Sequence, residues 1–249
     1  LDERSEYGRA LPLSNRAVEL FRAELGAHHP DYARVLQSNG KLLMMMQRLP
    51  EAKARFEQAF AIKVAAYGED SPTVAMTLHS LGDVAQIAGD HETAGKDFER
   101  AYAIWNKALG PDHTLTLMAR YSLGQNLRHR HELPEAVAVL EDVLARRPAA
   151  KNPQPERIAN TLDSLAECYF DEKDYAKALE LAQRALAIRA KVLGPAAGDV
   201  AESYSRIADI ELARHDCPAA VEAAHKALAI PNGDTSSCHG VLAACHATK

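Results

Sequence analysis

The sequence has few of the residues that build strands, turns and aromatic cores. Only 6% of its 249 residues are aromatic, and 13 glycines with 12 prolines are too few for a protein made of many short strands. No apolar run reaches the length of a membrane span, and no secretory signal is visible. Apolar residues still make up 47% of the chain and alanine is frequent, which predicts an all-α fold of closely packed helices.

Cysteine and net positive charge are also scarce. Four cysteines are too few for a disulfide framework, so the sequence indicates a reducing, cytoplasmic compartment. The formal net charge is −5, which argues against nucleic acid as a partner because phosphate binding needs a basic face. We therefore expect neither nucleic-acid binding nor membrane insertion, although RNA binding stays an alternative that salt-dependent RNA affinity would reveal.

A short segment that reads LGPDHTL in one copy recurs along the chain. Its glycine stands at the same place in each copy, at Gly26, Gly68, Gly110 and Gly194. These positions are separated by 42 residues or by twice 42, and the missing member falls at Asn152. A fixed period of this length is typical of stacked repeats. Asp112 and His113 could suggest a catalytic or metal-binding pair. The corresponding pairs are His28-His29, Asp70-Ser71, Gln154-Pro155 and Ala196-Ala197, so the Asp-His combination does not recur and we interpret it as a turn before a helix cap.

Small residues share the period of 42 in three columns. The first column is Ala10, Ala52, Ala94, Ala136, Ala178 and Ala220. The second is Ala17, Ala59, Ala101, Val143, Ala185 and Ala227. The third is Gly40, Gly82, Gly124, Ala166 and Ala208. Helices that stack on one another need small side chains where their backbones approach most closely, so these columns predict the lines of contact.

Each period contains two helical stripes. In the second copy the first stripe is Val74, Leu78, Leu81 and Ala85, and the second is Ala94, Phe98, Ala101 and Trp105. Ser71 before Pro72 predicts an N-cap with proline at the first helical position. The large residues Phe56, Phe98 and Leu140 give way to Ala182 and Ala224 in later copies, so we expect the packing there to differ.

These residues resemble the tetratricopeptide repeat, which carries Leu-Gly in its first helix and Ala, a large apolar residue and Ala in its second. The longer period, with LGxxHP before the first helix, looks like the repeat of kinesin light chains and many bacterial regulatory proteins. The resemblance implies a right-handed superhelical solenoid of about five helix-turn-helix repeats. It also implies that the first helices line a concave groove for a protein or peptide, as in a scaffold or regulatory module.

We predict one solenoid over residues 1–249. Its parts are a half repeat at 1–25, repeats at about 26–67, 68–109, 110–151, 152–193 and 194–235, and a partial repeat at 236–249. Pro12 predicts that the first helix begins at about residue 11 or 12. The half units indicate a segment of a larger polypeptide, or a fold whose last helix is a cap. The alternative function is the docking or sensor arm of a larger signalling enzyme, such as a bacterial Ser/Thr protein kinase.

The resemblance assigns four residues of each first helix to the groove, and we call these twenty residues the groove positions. Repeat one supplies Arg34, Gln37, Lys41 and Met44, repeat two supplies Met76, His79, Asp83 and Gln86, and repeat three supplies Met118, Tyr121, Gln125 and Arg128. Repeat four supplies Asn160, Asp163, Glu167 and Phe170, and repeat five supplies Glu202, Ser205, Asp209 and Leu212. Spacings of three, four and three keep each set on one helical face.

The charge of the groove positions changes along the chain. Repeats four and five carry Asp163, Glu167, Glu202 and Asp209, whereas repeats one to three are net basic. An extended peptide would therefore place its basic segment against repeats four and five. A column of Ser38, Ser80, Ser122, Ser164 and then Arg206 runs beside the groove positions. Its serines could hold a peptide backbone or only pack helices, and Arg206 could offset part of the acidic charge.

No residue pattern in the sequence qualifies as catalytic, and no cofactor is predicted. The chain has no Ser-His-Asp order, no glycine-rich phosphate loop and no HExxH motif. Cys238-His239 and Cys245-His246 could suggest zinc, but adjacent residues diverge by about 100° on a helix, so one helix cannot close a tetrahedral site. We favour a solvated or capping helix there and predict no metal site. Cys217, in a turn between helices, could be a regulatory thiol.

Ala94 should lie at the close contact between the two helices of the second repeat. Ala94→Leu should overpack this contact and lower the free energy of unfolding by roughly 1–3 kcal/mol. Thermal denaturation of the purified variant measures the effect. Unchanged stability would place Ala94 on the surface and undo the alignment of every column.

Overall fold

A computed structural model of the protein describes residues 3–149, 154–231 and 233–247. In these residues it contains twelve α-helices, one short 3-10 turn and no strand, which confirms the predicted all-α class. The chain divides into two compact units, Leu1–Arg130 and His131–Lys249. Asn152, where a further glycine of the column was expected, lies outside the described residues.

Helices α1 to α6 form the first unit and α7 to α12 the second. The first six are α1 (Glu3–Leu25), α2 (Pro30–Met45), α3 (Leu49–Tyr67), α4 (Pro72–Ile87), α5 (His91–Leu109) and α6 (Thr114–His129). The others are α7 (Leu133–Arg146), which runs into the 3-10 turn Arg147–Ala149, then α8 (Pro155–Asp171), α9 (Tyr175–Leu193), α10 (Gly198–Ala213), α11 (Cys217–Leu228) and α12 (Cys238–Ala247). The most extensive packing joins α2 to α3, α4 to α5, α8 to α9 and α10 to α11, as expected for hairpin repeats. No helix among the described residues has the length and apolar character that crossing a bilayer requires.

Side-chain caps begin three of the first helices. His29, Ser71 and His113 each accept a hydrogen bond from the backbone N–H two residues further on, at 3.1, 3.4 and 3.2 Å. Each bond satisfies one of the N–H groups that the first turn of a helix leaves without a partner. The interpretation of Asp112 and His113 as a turn and a cap is confirmed, because His113 is the N-cap of α6.

Two turn positions recur with a positive φ among the described residues. The first follows the second helix and holds the predicted glycine column, with φ between +79° and +89° at Gly26, Gly68, Gly110 and Gly194. The second lies between the two helices of a repeat, with φ from +60° to +82° at Gln47, Gly89, His131, Lys173 and His215. The sequence did not reveal this second column, because four of its five members carry side chains that rarely adopt such a φ.

Pro12 does not delay the first helix, and that expectation is wrong. Helix α1 begins at Glu3 and includes Pro12 in its interior. A proline inside a helix removes one hydrogen bond to the carbonyl four residues earlier, which here belongs to Gly8. Gly8 is exposed, so water can satisfy this carbonyl and the helix continues through the proline.

The small columns mark the contact between the two helices of a repeat. Ala52, Ala59, Ala94 and Ala101 are fully buried, as the alignment of the columns requires. A Cβ atom added to Gly82 would lie 2.6 Å from the ring of Phe98, and the same atom on Gly40 would lie 2.7 Å from the ring of Phe56. The absence of a side chain at each glycine therefore leaves the space that the phenylalanine ring occupies.

The packing in later repeats differs, as predicted. The column that holds Gly40 and Gly82 continues as Ala166 and Ala208, and the phenylalanine column continues as Ala182 and Ala224. All four alanines are buried, with at most 1% of their surface exposed. Both columns thus change together. In the early repeats a glycine faces a phenylalanine ring, and in the late repeats an alanine stands at each of the two positions.

The cysteines depart from the sequence expectation. Cys217, the first residue of α11, forms a disulfide with Cys245 of α12, and their Cα atoms are 5.4 Å apart. Four cysteines were expected to be too few for a disulfide framework, and one pair is nevertheless bonded, which the sequence did not predict. The packing of α12 against α11 brings the two residues within bonding range. Cys168 and Cys238 are buried thiols.

Gly82 and Gly89 allow the two roles of glycine to be separated. Gly82→Ala should lower the free energy of unfolding by about 1–3 kcal/mol, because the new methyl group meets the Phe98 ring. Gly89→Ala should cost less, about 1 kcal/mol, because nothing lies within 4 Å and only the positive φ opposes a side chain.

Urea denaturation of both variants and of the double variant Gly82→Ala/Phe98→Leu measures these costs. The smaller leucine should recover part of the loss at Gly82, since it vacates space at the contact. An equal loss in the single and the double variant would contradict the proposed fit between glycine and ring.

Candidate functional site

The groove positions lie on the first helices α2, α4, α6, α8 and α10, and they differ in exposure. The exposed members are Arg34, Lys41, Asn160 and Glu202. The buried members are Gln37, His79, Asp163 and Ser205. The half-buried members are Met44, Met76, Asp83, Gln86, Met118, Tyr121, Gln125, Arg128, Glu167, Phe170, Asp209 and Leu212. In four of the five repeats the second member is therefore part of the interior, and its neighbours form the accessible surface.

Long side chains from the second helices reach the buried groove positions from behind. These side chains are Lys63, Trp105 and Arg189, which are spaced by 42 or by a multiple of it, and all three are buried. The ring of Trp105 lies 5.9 Å from the ring of His79, and its Nε1 donates to the carbonyl of Pro72 at 3.0 Å. This column was missed in the sequence because its members share length rather than polarity.

In the first unit Lys63 is the supporting side chain. Its Nζ donates to Oε1 of Gln37, to Oγ1 of Thr77 at 2.9 Å and to the carbonyl of Thr73 at 3.4 Å. Burial lowers the pKa of Lys63 from 10.5 to about 8, and the charge of Lys41 acts in the same direction. The amine therefore fixes the amide of Gln37 from the interior side.

In the second unit Arg189 has the corresponding role. It forms an ion pair with Asp163 at 2.5 Å and donates to Oδ1 of Asn160 at 2.8 Å. The second oxygen of Asp163 lies 3.8 Å from Nε of Arg206, whose guanidinium also pairs with Glu167. Two of the four acidic groove positions of repeats four and five are thus balanced by arginines, and of these arginines only Arg206 was considered in the sequence-based charges.

The other two acidic groove positions belong to an open cavity of about 360 Å³, which we call the acidic pocket. Its lining comes from α10 and from the segment before α12, and comprises Glu202, Ser205, Arg206, Asp209, Asp234, Ser236 and Ser237. Glu202 makes no ion pair within the described residues. Burial raises the pKa of Asp209, and a hydrogen bond from Ser237 Oγ to its Oδ2, at 3.0 Å, opposes the rise.

The serine column makes hydrogen bonds inside the protein. Oγ of Ser38 donates to the carbonyl of Arg34 at 3.2 Å, and Oγ of Ser80 donates to that of Met76 at 3.1 Å. Oγ of Ser122 lies 3.0 Å from Nε2 of His79, which joins two successive first helices. The Ser122 bond supports the packing interpretation at that position, whereas the Ser38 and Ser80 bonds stay within their own helices.

Cys238, Val241 and Cys245 are the buried residues of α12, whereas His239 and His246 are exposed. In each pair the cysteine therefore faces the protein interior and the histidine faces solvent. Within the described ranges, no group of three histidine, cysteine or carboxylate side chains is arranged to hold a metal ion.

Sequence comparison identifies the repeat unit. A family profile described as tetratricopeptide repeat matches residues 3–63, 37–94, 73–149 and 157–232. No curated protein matches the sequence. The matched segments together span most of the chain, and their overlaps follow the succession of the helical hairpins.

Solved structures of similar fold agree with this repeat type. A putative kinesin light chain from Podosopora anserina with nearly identical TPR-like repeats is 23% identical, with a TM-score of 0.68 over 84% of this chain and 97% of that one. BtubC (BKLC) from P. vanneervenii is 18% identical, with a TM-score of 0.74 over 89% of both chains. A Rap protein complexed with Competence and Sporulation Factor is 14% identical, with a TM-score of 0.66 over 95% of this chain and 64% of that one. At these identities the likeness shows the fold alone, and it confirms the predicted kinesin-light-chain-like solenoid.

Lys63 makes the stability of the first unit depend on pH. Its folded pKa, about 8, lies below the ordinary 10.5, so between these values the unfolded chain binds more protons than the folded one. Stability from this residue should rise as pH increases from about 8 to 10.5. The free energy of unfolding of the wild type, measured by urea denaturation, should therefore rise relative to that of Lys63→Met over this range.

Lys53→Met is the matched control, because Lys53 is exposed on the same helix. Its difference from the wild type gives the pH dependence against which that of Lys63→Met is compared. If the difference in unfolding free energy between the wild type and Lys63→Met does not change with pH relative to this control, burial does not disfavour protonation of the Lys63 amine.

Proposed function

Because the chain belongs to the tetratricopeptide repeat family, we propose that it binds a protein or an extended peptide at the groove positions of its first helices. The role is that of a scaffold or regulatory module, and it requires no catalysis. The observation that carries the proposal is the layered construction of these positions. Gln37, His79 and Asp163 are contacted from behind by second-helix side chains, and more accessible members lie on either side of them.

This construction favours binding of a partner, because several of the side chains are already ordered. Lys63 and Arg189 restrict the side chains of Gln37 and Asp163 before any partner arrives. A surface that is already ordered loses less conformational entropy on binding, which favours affinity. The exposed members, among them Lys41 and Glu202, remain available for contacts with a partner.

The partner we propose carries a basic segment that lies against repeats four and five. Asp163 and Glu167 are paired with arginines, so Glu202, Asp209 and Asp234 supply the negative charge that is accessible at the acidic pocket. Complementary charge of this kind raises the association rate and selects the partner more than it raises the final affinity. The Rap protein, of similar fold, has been solved in complex with Competence and Sporulation Factor, and that complex supports ligand binding by such a solenoid.

The test removes the charge of the acidic pocket without changing its shape. The double variant Glu202→Gln/Asp209→Asn and the wild type would each be used to select peptides from a displayed random library. Wild-type selections should be enriched in lysine and arginine, and the variant should lose this enrichment. The association rate of one selected peptide should fall several-fold at low salt in the variant, and the difference should shrink as salt screens the charges.

Glu24→Gln/Glu99→Gln is the matched control, because both glutamates are exposed and lie on second-helix surfaces away from the groove positions. It has the same change in net charge, so its selections should stay basic. Equal enrichment in all three proteins would show that the pocket does not meet the partner. Selections without any enriched sequence from the wild type would contradict peptide binding itself.

A further inference from the structure

We propose that the Cys217–Cys245 disulfide is a reversible redox site that holds α12 in place and thereby maintains the second wall of the acidic pocket. That the disulfide holds α12 in place is a statement about the protein alone. Only its consequence for binding rests on the function proposed above.

Helix α12 has little to hold it besides the disulfide. It is ten residues long, and its buried residues are Cys238, Val241 and Cys245. Isolated helices of this length are marginal in water, so its stability must come from its contacts with α10 and α11. The covalent bond to Cys217 is the strongest of these contacts, and it joins α12 to the start of α11.

The first turn of α12 lies against the groove positions of repeat five. Oγ of Ser237 lies 2.9 Å from Oγ of Ser205 and donates to Asp209 at 3.0 Å. Sγ of Cys238 donates to the same Ser205 hydroxyl at 3.4 Å. Ser237, together with Asp234, forms the wall of the acidic pocket that faces α10. A looser α12 would carry this wall away from Asp209.

The disulfide is placed to control this contact from the opposite end of the helix. Cys245 is seven residues beyond Cys238, about 10 Å along the helix axis. Cys217 is half-buried, whereas Cys245 is 3% exposed. A reductant would therefore approach the bond from the less buried residue, Cys217, and the two remaining cysteines are buried thiols outside the bond.

The redox step requires a dithiol as reductant, such as a cellular dithiol protein or dithiothreitol. Its thiolate attacks Sγ of Cys217, the sulfur–sulfur bond breaks, and the electron pair passes to Sγ of Cys245, which takes up a proton. The second thiol of the reductant then displaces Cys217 from the mixed disulfide, and Cys217 is protonated in turn. Two electrons and two protons thus move from the dithiol, which becomes a disulfide, to the two cysteines.

A reversible disulfide accounts for both the cysteine content of the chain and the bond in the structure. A chain with few cysteines is typical of reducing compartments, where this pair would be two thiols. The structure shows the same pair bonded. A site that changes state with the compartment or with oxidative conditions accounts for both, and the protein would hold α12 firmly only in the oxidised state.

Amide hydrogen exchange followed by mass spectrometry tests the structural half without any ligand. The full chain would be compared before and after reduction with dithiothreitol. Exchange of the α12 amides should accelerate by about a hundredfold on reduction, the order expected when a bond closing a loop of this length is removed. Helices of the first unit should not change, and circular dichroism should report an intact fold.

Two variants provide controls. Cys217→Ser should show fast exchange in α12 under both conditions and no response to dithiothreitol. Cys168→Ala, which removes a buried thiol of α8 but not the bond, should keep the full response. Unchanged α12 exchange on reduction of the wild type would overturn the inference, as would labelling of Cys217 by a maleimide in the unreduced, folded chain.

The binding half uses a fluorescent peptide of alternating lysine and glycine as the probe. Its affinity for the wild type should fall several-fold on reduction, and its affinity for Cys217→Ser should be low in both conditions. Equal affinity despite faster α12 exchange would overturn the link between the disulfide and the pocket. A probe that binds neither state, while α12 still responds, would contradict the proposed function and the link to the pocket, and would leave the redox site itself standing.

Discussion

The close approach of two helices within each repeat is the constraint on which the rest of the structure depends. At Gly82 and Gly40 even a methyl group would collide with a phenylalanine ring of the second helix. A contact this tight fixes the rotation of both helices about their axes, because the surrounding alanines are fully buried as well. The direction of the groove positions follows from that rotation. The chemistry on the surface of α2 and α4 is therefore set by what lies at their inner faces.

The sequence could predict this layer because the contact is made of residue sizes that recur every 42 positions. The alanine and glycine columns, the glycine that follows each second helix and the cap at Ser71 all follow from local rules of helix geometry. Pro12 shows the limit of such rules, since a single missing hydrogen bond at an exposed turn did not end α1. The positive φ at Lys173 and its counterparts was also hidden, because the hairpin imposes a conformation that the side chain itself disfavours.

The candidate site could be predicted only in outline. Helical spacing and the family resemblance assigned the groove positions to the first helices, and they lie there. The second-helix partners were not predicted, because Lys63 and Arg189 act through contacts between helices that local periodicity does not encode. For the same reason the charge of repeat four was overestimated, since the sequence indicated an offset from Arg206 but not the pairing of Arg189 with Asp163. The disulfide between Cys217 and Cys245 likewise depends on how α12 packs, which two isolated cysteines do not indicate.

The supporting column has a consequence for how repeats of this kind can be recombined. A groove residue such as Asp163 is stable in its buried place because an arginine from the other helix of its hairpin meets it there. If only the first helix were moved to the second repeat, Asp163 would face Trp105 instead of a cation, and a buried charge without a partner is strongly destabilising. The unit of specificity is thus the whole hairpin. New binding surfaces would be assembled by exchanging complete repeats, with each groove residue moving together with the side chain behind it.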